Sequence, residues 1–280
     1  MDRLAALLAN FHLAASVFHA GALCHDTRHP AEAGTGYVHI LSRGTAYLAL
    51  ADGPARRFDA PVLVLLTAAD AHRFGPGPQG AETLCGSFRF GASHTGPIYR
   101  ALPSLLVMPL DELTGIAGLL EMMLAEMWEE RCGRQAALDR LCELLIIQLL
   151  RYLMDSGEVD SGLLAGMAHP KLAKALIAMH DRPAADWSLT TLATEAGMSR
   201  ARFASVFRDT IGQPPAEYLT HYRLSLAKAL LWDGVPLDAI AGRVGYASPS
   251  ALAKMFRRHT GLSPLQWRNA EADTLMTRRC

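Results

Sequence analysis

Between residues 35 and 95 the apolar residues come in short runs broken by glycine, proline and aspartate. Residues 37–41, 46–50, 61–66 and 83–90 are rich in β-branched, leucine or aromatic side chains, which is the pattern of strands. Ser42-Arg43-Gly44 and Asp52-Gly53-Pro54 read as turns between them. Short strands at this spacing predict an antiparallel barrel or sandwich. After Pro109 the period changes. Residues 110–131 and 135–154 carry apolar side chains at helical spacing, predicting two helices packed on the barrel or on a second copy of it. The polar, glycine- and serine-containing run at 155–162 opens a linker, and all that follows reads as helical. The reading is an α+β multidomain chain. Residues 1–154 form a β-barrel with two helices, 155–168 a linker, and 169–280 an all-α domain.

The helical domain repeats itself at a period of about 49 residues. Leu192 to Ser199 and Ile240 to Ser248 each end a helix at a glycine (Gly197, Gly245). Each then places a serine (Ser199, Ser248) where it can cap a second helix. Downstream, Phe207, Gly212, Pro215 and Tyr218 correspond in order to Phe256, Gly261, Pro264 and Trp267. Helix, glycine turn, capped helix is the helix-turn-helix pattern. Two such units, spaced by a stiff amphipathic helix at 215–232, can read successive major-groove segments of one duplex.

Charge sharpens this division. The chain has 27 Lys/Arg and 27 Asp/Glu, a net charge of zero. Residues 169–280 hold 15 of the basic and 9 of the acidic side chains, so the helical domain is net positive and the rest equally negative. A basic domain joined to an acidic one points to a polyanionic partner for the former. Five scattered cysteines do not make a secreted disulfide scaffold. The N-terminal residues are interrupted by Asn10, His12 and His19 and lack a leader's cleavage pattern, and no apolar run is long enough to span a bilayer. A cytoplasmic protein with no membrane partner is expected.

Residues 169–268, above all the run from Val244 through Arg268, resemble the DNA-binding domain of the AraC/XylS family of bacterial transcription regulators. The resemblance implies an additional leading helix at 171–181. It also implies base-facing positions at Ala201, Ala204 and Ser205 and at Pro249, Ser250, Ala253 and Lys254. Arg200, Arg202, Arg208, Arg257 and Arg258 sit on the same outward faces, suited to phosphates or to base edges at the helix start. Most base-facing side chains are small, so phosphate contacts should dominate affinity and salt dependence should be steep. The implied partners are double-stranded promoter DNA, RNA polymerase if the protein activates, and a second copy of the chain. Residues 110–154, with methionines clustered around 120–127, are the expected dimer face.

Residues 1 to about 110 resemble the cupin-type (jelly-roll-like) sensory domain of a subset of these regulators, through residues 37–48, 58–72 and 84–90. His72 keeps the place of the second cupin motif's histidine. His39 lies two residues past the place of the first motif's glutamate, occupied here by Tyr37, and the paired His-x-His of metal-binding cupins is absent. Cys24, His39, His72 and Cys85 lie in or beside barrel strands and could form a tetrahedral zinc site. Cys24 and Cys85 also allow a redox reading, with oxidation to a disulfide or loss of a held metal. Their placement resembles that of the reactive-chlorine-responsive members of the family. Cys132, Cys142 and Cys280 read as bland. The expected function is a non-enzymatic regulator, an activator by resemblance, that senses oxidant or metal. The alternatives are control by a small organic ligand in the barrel cavity and a metal-dependent cupin enzyme fused to a DNA anchor, which the missing His-x-His disfavours.

Overall fold

A computed structural model describes residues 2–32, 34–51, 53–67, 71–91, 96–129 and 131–277. The chain forms two compact units. One contains residues 12–91 and 99–155; the other contains residues 2–11, 96–98 and 156–277.

The β-rich unit is built from β1 (Leu13–Leu23), β2 (Thr27–His29), β3 (Gly36–Leu50), β4 (Arg56–Asp59), β5 (Val62–Leu66), β6 (His72–Phe90) and β7 (Leu105–Pro109). The pairings are antiparallel in the order β1-β6-β3-β5-β7, with β2 also on β6 and β4 also on β3. Strands β2, β4, β7 and the first half of β6 add to those expected, and two further departures shape the sheet. Residues 42–44, expected to turn, instead lie within the single long β3, which shifts register against β6 between Leu41 and Arg43 and again between Gly44 and Ala46. The physical reason lies at Gly44. Its φ of +84° suits a bulge, and any Cβ there would stand 2.2 Å from the Gly80 carbonyl oxygen. The second difference is β1, which precedes Cys24 and was hidden by its small residues. It is recruited by pairing with β6 from Leu13 to Leu23. After β3, the Gly53 N–H donates to the Leu50 carbonyl at 2.8 Å, while Asp52 of the expected turn lies outside the described residues.

Both faces of the central strands are covered, which is why β5 reads Val-Leu-Val-Leu-Leu without alternation. One face fills the interior with Tyr37, Leu41, Leu48, Val64, Phe74 and Cys85 among others. On the other face lies α4 (Arg134–Asp155). There a Cβ on Gly86 would come within 3.2 Å of Cys142 Sγ, and Asp139 accepts from the Val17 N–H at 2.7 Å. The predicted helix at 110–131 begins later than expected. Two short 3₁₀ turns, at Leu110–Glu112 and Thr114–Ile116, precede α3 (Ala117–Trp128).

The other unit includes α1 (Ala5–Asn10). The short α2 (Pro97–Ala101) is shared between the contact groups. Then come α5 (Gly162–Ala168), α6 (Leu172–Asp181), α7 (Leu189–Glu195), α8 (Arg200–Ile211), α9 (Pro215–Trp232), α10 (Leu237–Arg243), α11 (Pro249–Thr260) and α12 (Pro264–Thr277). Helix α5 falls in the expected linker because Leu163, Leu164 and Met167 are buried, and Gly166 lets Ile211 and Leu176 close on its backbone. Residues 2–11 join this unit for a similar reason. Leu4, Leu7 and Phe11 are buried, Phe11 meets Tyr222 edge-on, and Asn10 Nδ2 donates to the Tyr222 hydroxyl at 2.9 Å. At the centre, His180 is stacked on Tyr222, with its Nε2 2.6 Å from the Tyr218 hydroxyl. Burial pushes its pKa down to about 3, so the ring is neutral at physiological pH. Among the described residues no helix is long and apolar enough to cross a membrane.

The bulge gives a direct test. Gly80 also has a positive φ (+79°), but nothing stands near its missing Cβ. Gly80→Ala should cost about 1 kcal/mol from backbone conformation alone, whereas Gly44→Ala adds a backbone clash and should cost more than about 2 kcal/mol. Urea denaturation of the two variants followed by circular dichroism measures the difference; equal midpoints would contradict it.

Candidate functional site

The repeat seen in the sequence is a repeat of hydrogen bonds. Helix α7 closes with the Met198 N–H donating to the Ala193 carbonyl, and α10 with the Tyr246 N–H donating to Ala241, both at 2.9 Å. Gly197 (φ +60°) and Gly245 (φ +78°) take the left-handed position that this closure requires. The chain then re-enters helix at a serine. Ser199 Oγ accepts from the Arg202 N–H at 3.4 Å and Ser248 Oγ from the Ala251 N–H at 3.2 Å. Gly212 (φ +85°) and Gly261 (φ +75°) end α8 and α11.

Each second helix is anchored on one side only. Phe203, Phe207 and Ile211 of α8 are buried, as are Leu252 and Phe256 of α11, where Trp267 packs edge-on against Phe256. The opposite faces carry the residues expected to meet DNA. Arg200, Ala201, Arg202, Ser205 and Arg208 are exposed and Ala204 is half-buried on α8. Ser250, Lys254, Arg257 and Arg258 are exposed and Ser248, Pro249 and Ala253 are half-buried on α11. Ser205 is tied to its own helix by donating to Asp209 Oδ2 at 3.1 Å. Ala204, Ser205 and Arg208 also border a groove of about 700 Å³ beside Trp187 and Leu219. Neither helix buries any of its arginines, so both offer cationic faces of low apolar content.

The barrel interior holds the second constellation. His39 on β3 and His72 at the start of β6 are buried, and their Nε2 atoms face each other at 3.2 Å. His29 on β2 is directly opposite His72 in the β2–β6 pairing and stacks on it with ring centroids 4.6 Å apart. One ring nitrogen from each of the three lies within 4.8 Å of the others. Phe74 stacks on His39 at 4.2 Å and Tyr37 meets His72 edge-on at 4.7 Å, so apolar rings wall the group. Burial, then the neighbouring imidazoles of His72, His29 and His19, hold the His39 pKa well below its ordinary value. Burial lowers that of His29. Both shifts favour the neutral form of His39 and His29, the form that ligates metals. A cavity of about 860 Å³ borders His29 and His72 and gives the group a path to solvent.

Of the four expected metal ligands, the structure brings together His39 and His72 and adds His29. Cys24 is exposed, beyond the end of β1, with its thiol 3.8 Å from the Ala22 carbonyl oxygen. Cys85 is on the interior face, between His19 and His39 in register, but its sulfur is not among the converging donors. Burial pushes its pKa up to about 12. Nor are the two cysteines placed to pair. His19 lies opposite Cys85, and Leu23, just before Cys24, is four residues farther along β1. That is roughly 13 Å of strand, whereas a disulfide needs Cα atoms within about 7 Å.

Residues 192–270 match the helix-turn-helix domain family, and residues 2–155 match the cupin family. A putative AraC-like transcription regulator of Streptomyces lividans is 31% identical over 245 residues, covering 85% of this chain and 80% of its own length. The chain belongs to the AraC family. This AraC-family member is a DNA-binding transcriptional regulator with a cupin domain. It is also 28% identical to AlkR of Acinetobacter baylyi, over 82% of this chain and 87% of that one. The same identity, over 82% and 83%, relates it to RclR of Escherichia coli K12, described as an RCS-specific HTH-type transcriptional activator. Among solved structures, the DNA-binding domain of AdpA in complex with a target DNA is 34% identical, covering 36% of this chain and 93% of that one, with a TM-score of 0.34.

The sequence reading of this AraC-family chain missed His29. The signal was a histidine one residue from a proline in a three-residue strand, too short for alternation to show. The cysteine environments make a prediction. With a thiol reagent under native conditions, Cys24 and Cys132, both exposed, should react at least tenfold faster than the buried Cys85 and Cys142. Mass spectrometry of labelled peptides reads this out, and equal labelling of Cys85 would refute the interior placement.

Proposed function

We propose that this AraC-family regulator reads promoter DNA with α8 and α11 and that its activity is set by a signal received in the cupin unit's interior. The observation that carries the first half is the duplicated turn geometry, which presents two serine-capped helices with outward arginines. Arg200, Arg202, Arg208, Arg257 and Arg258 contact phosphates or flanking base edges, Ser199 and Ser248 fix the helix starts, and Lys254 is the one long base-facing side chain. The small residues Ala201, Ala204, Ser205, Pro249, Ser250 and Ala253 let the backbones approach the groove and contact thymine methyls.

For the signal, the geometry favours a species held at the imidazoles over a Cys24–Cys85 disulfide, since the register separates those cysteines. Oxidation of the exposed Cys24 alone is the second reading, favoured by its accessibility and by the relative named for RCS specificity. An organic ligand in the cavity beside His29 and His72 would use the same site. The protein acts as a cytoplasmic, non-enzymatic homodimer and, as an activator, contacts RNA polymerase. Exposed Met122, Trp128 and Leu144 on α3 and α4 support the dimer face.

An operator selected from a random duplex pool tests the DNA contacts. Replacing Arg257 and Arg258 together by alanine should weaken binding to all sequences alike and lower the salt slope of log K by about 1–2. Lys254→Ala should relax preference at one base position by about 1–3 kcal/mol. Unchanged binding in both variants would refute α11 as a reader. For the dimer face, Met122→Asp with Trp128→Ser should shift the chain to monomer in sedimentation; an unmoved dimer places the interface elsewhere.

A further inference from the structure

We propose that His29, His39 and His72 bind one divalent transition-metal ion through imidazole nitrogens, with the open side of the site facing the cavity beside His29 and His72. This inference deepens the preceding reading, since it names the ligand class of the cupin unit's interior. It differs from a two-cysteine, two-histidine site in its ligands, and so in what it predicts for each substitution.

The geometry carries the argument. In a tetrahedral site with metal–nitrogen bonds of about 2.0–2.1 Å, neighbouring ligand atoms stand roughly 3.3–3.4 Å apart. The Nε2 atoms of His39 and His72 stand 3.2 Å apart, so one edge of such a site is already set. Two imidazole nitrogens facing each other at this distance can share a proton or ligate one metal ion through both lone pairs.

The third ring is oriented by its strand. Thr27 Oγ1 donates its only proton to the Phe74 carbonyl at 3.0 Å, so its 3.0 Å contact with His29 Nε2 is one in which the imidazole N–H donates. That fixes the His29 tautomer and leaves Nδ1 with the lone pair. A hydrogen bond on the far nitrogen is the usual support of a metal-bound histidine. Strand β2 is three residues long and among the described residues pairs with β6 alone, so few backbone bonds hold its ring in place.

The surroundings suit an ion that prefers imidazole. Among the described residues the converging donors include no carboxylate and no thiolate, which disfavours calcium, magnesium and cuprous copper and favours Zn²⁺, Co²⁺ or Ni²⁺. Close by, His19 on β1 stands in the same row as Cys85 and His39, and its buried Nε2 has no hydrogen-bond partner among the described residues. An ion here would tie β2, β3 and β6 together at one end of the barrel.

The test uses the untagged full chain, stripped with chelator and titrated calorimetrically with Zn²⁺, with Co²⁺ as a visible-absorption probe. The expected result is one ion per chain with a tetrahedral-type Co²⁺ spectrum. His39→Gln and His72→Gln should abolish it. His29→Gln, at a half-buried position that tolerates change, should raise the Kd at least tenfold, and Zn²⁺ should no longer raise its melting temperature. His25→Gln, an exposed neighbour outside the group, should behave as the parent. Cys24→Ser and Cys85→Ser should each retain one ion. Absence of saturable binding, an unchanged Kd in His29→Gln, or loss of the ion in either cysteine variant would overturn the proposal. Measuring operator affinity with and without Zn²⁺ separates the two readings. Stoichiometric binding that leaves DNA affinity unmoved keeps the metal site and removes its role as the signal.

Discussion

The chemistry of the cupin unit depends on the bulged pairing of β3 with β6. Side chains alternate faces along a strand, so Tyr37, His39 and Leu41 point into the barrel on odd numbers while Ala46 and Leu48 point inward on even ones. On β6, His72 and Phe74 are inward on even numbers and Ala81 and Cys85 on odd ones. The register shifts around Arg43 and Gly44 change the parity of both strands. A flat ladder without them would turn one half of each strand outward, and His39 and His72 would lie on opposite faces of the sheet. The bulge therefore serves the interior directly. It bends two long strands so that residues 33 positions apart meet through ring nitrogens at 3.2 Å.

The helical unit solves a different problem. A recognition helix must leave one face unburied without losing its position. Here three apolar anchors on α8 and two on α11 fix the buried sides, and serine caps and left-handed glycines fix the ends. Among the described residues the outward arginines are exposed and make no side-chain hydrogen bond or ion pair, as the proposed phosphate contacts require. A polar centre of half-buried Asn10 and buried His180, Tyr218 and Tyr222 links α1, α6 and α9. It also recruits the chain's first helix, which strand and helix periodicity alone would leave with the barrel segment.

Cysteine position illustrates how chemistry can be misassigned from proximity in sequence pattern. Cys24 and Cys85 lie beside and within predicted strands and look like a pair. Antiparallel register separates them by several residues of strand, and burial raises the pKa of one thiol while the other stays at the surface. The histidines behave oppositely. His29 appears isolated in the sequence, yet β2 sets it directly against His72.

What the sequence by itself determined is the helical half: its element order, its repeat, its caps and its outward arginines. These are local features, set by glycine conformations and side chains within a few residues of the backbone they satisfy. It also indicated that a barrel precedes that half and singled out Cys24, His39, His72 and Cys85 within it, of which the fold brings only the two histidines together. Only the tertiary structure decided the strand boundaries, the bulge that replaces a turn, the membership of residues 2–11 and of α5, and the third imidazole. Each of those depends on partners tens of residues away, and no local period encodes a cross-strand register.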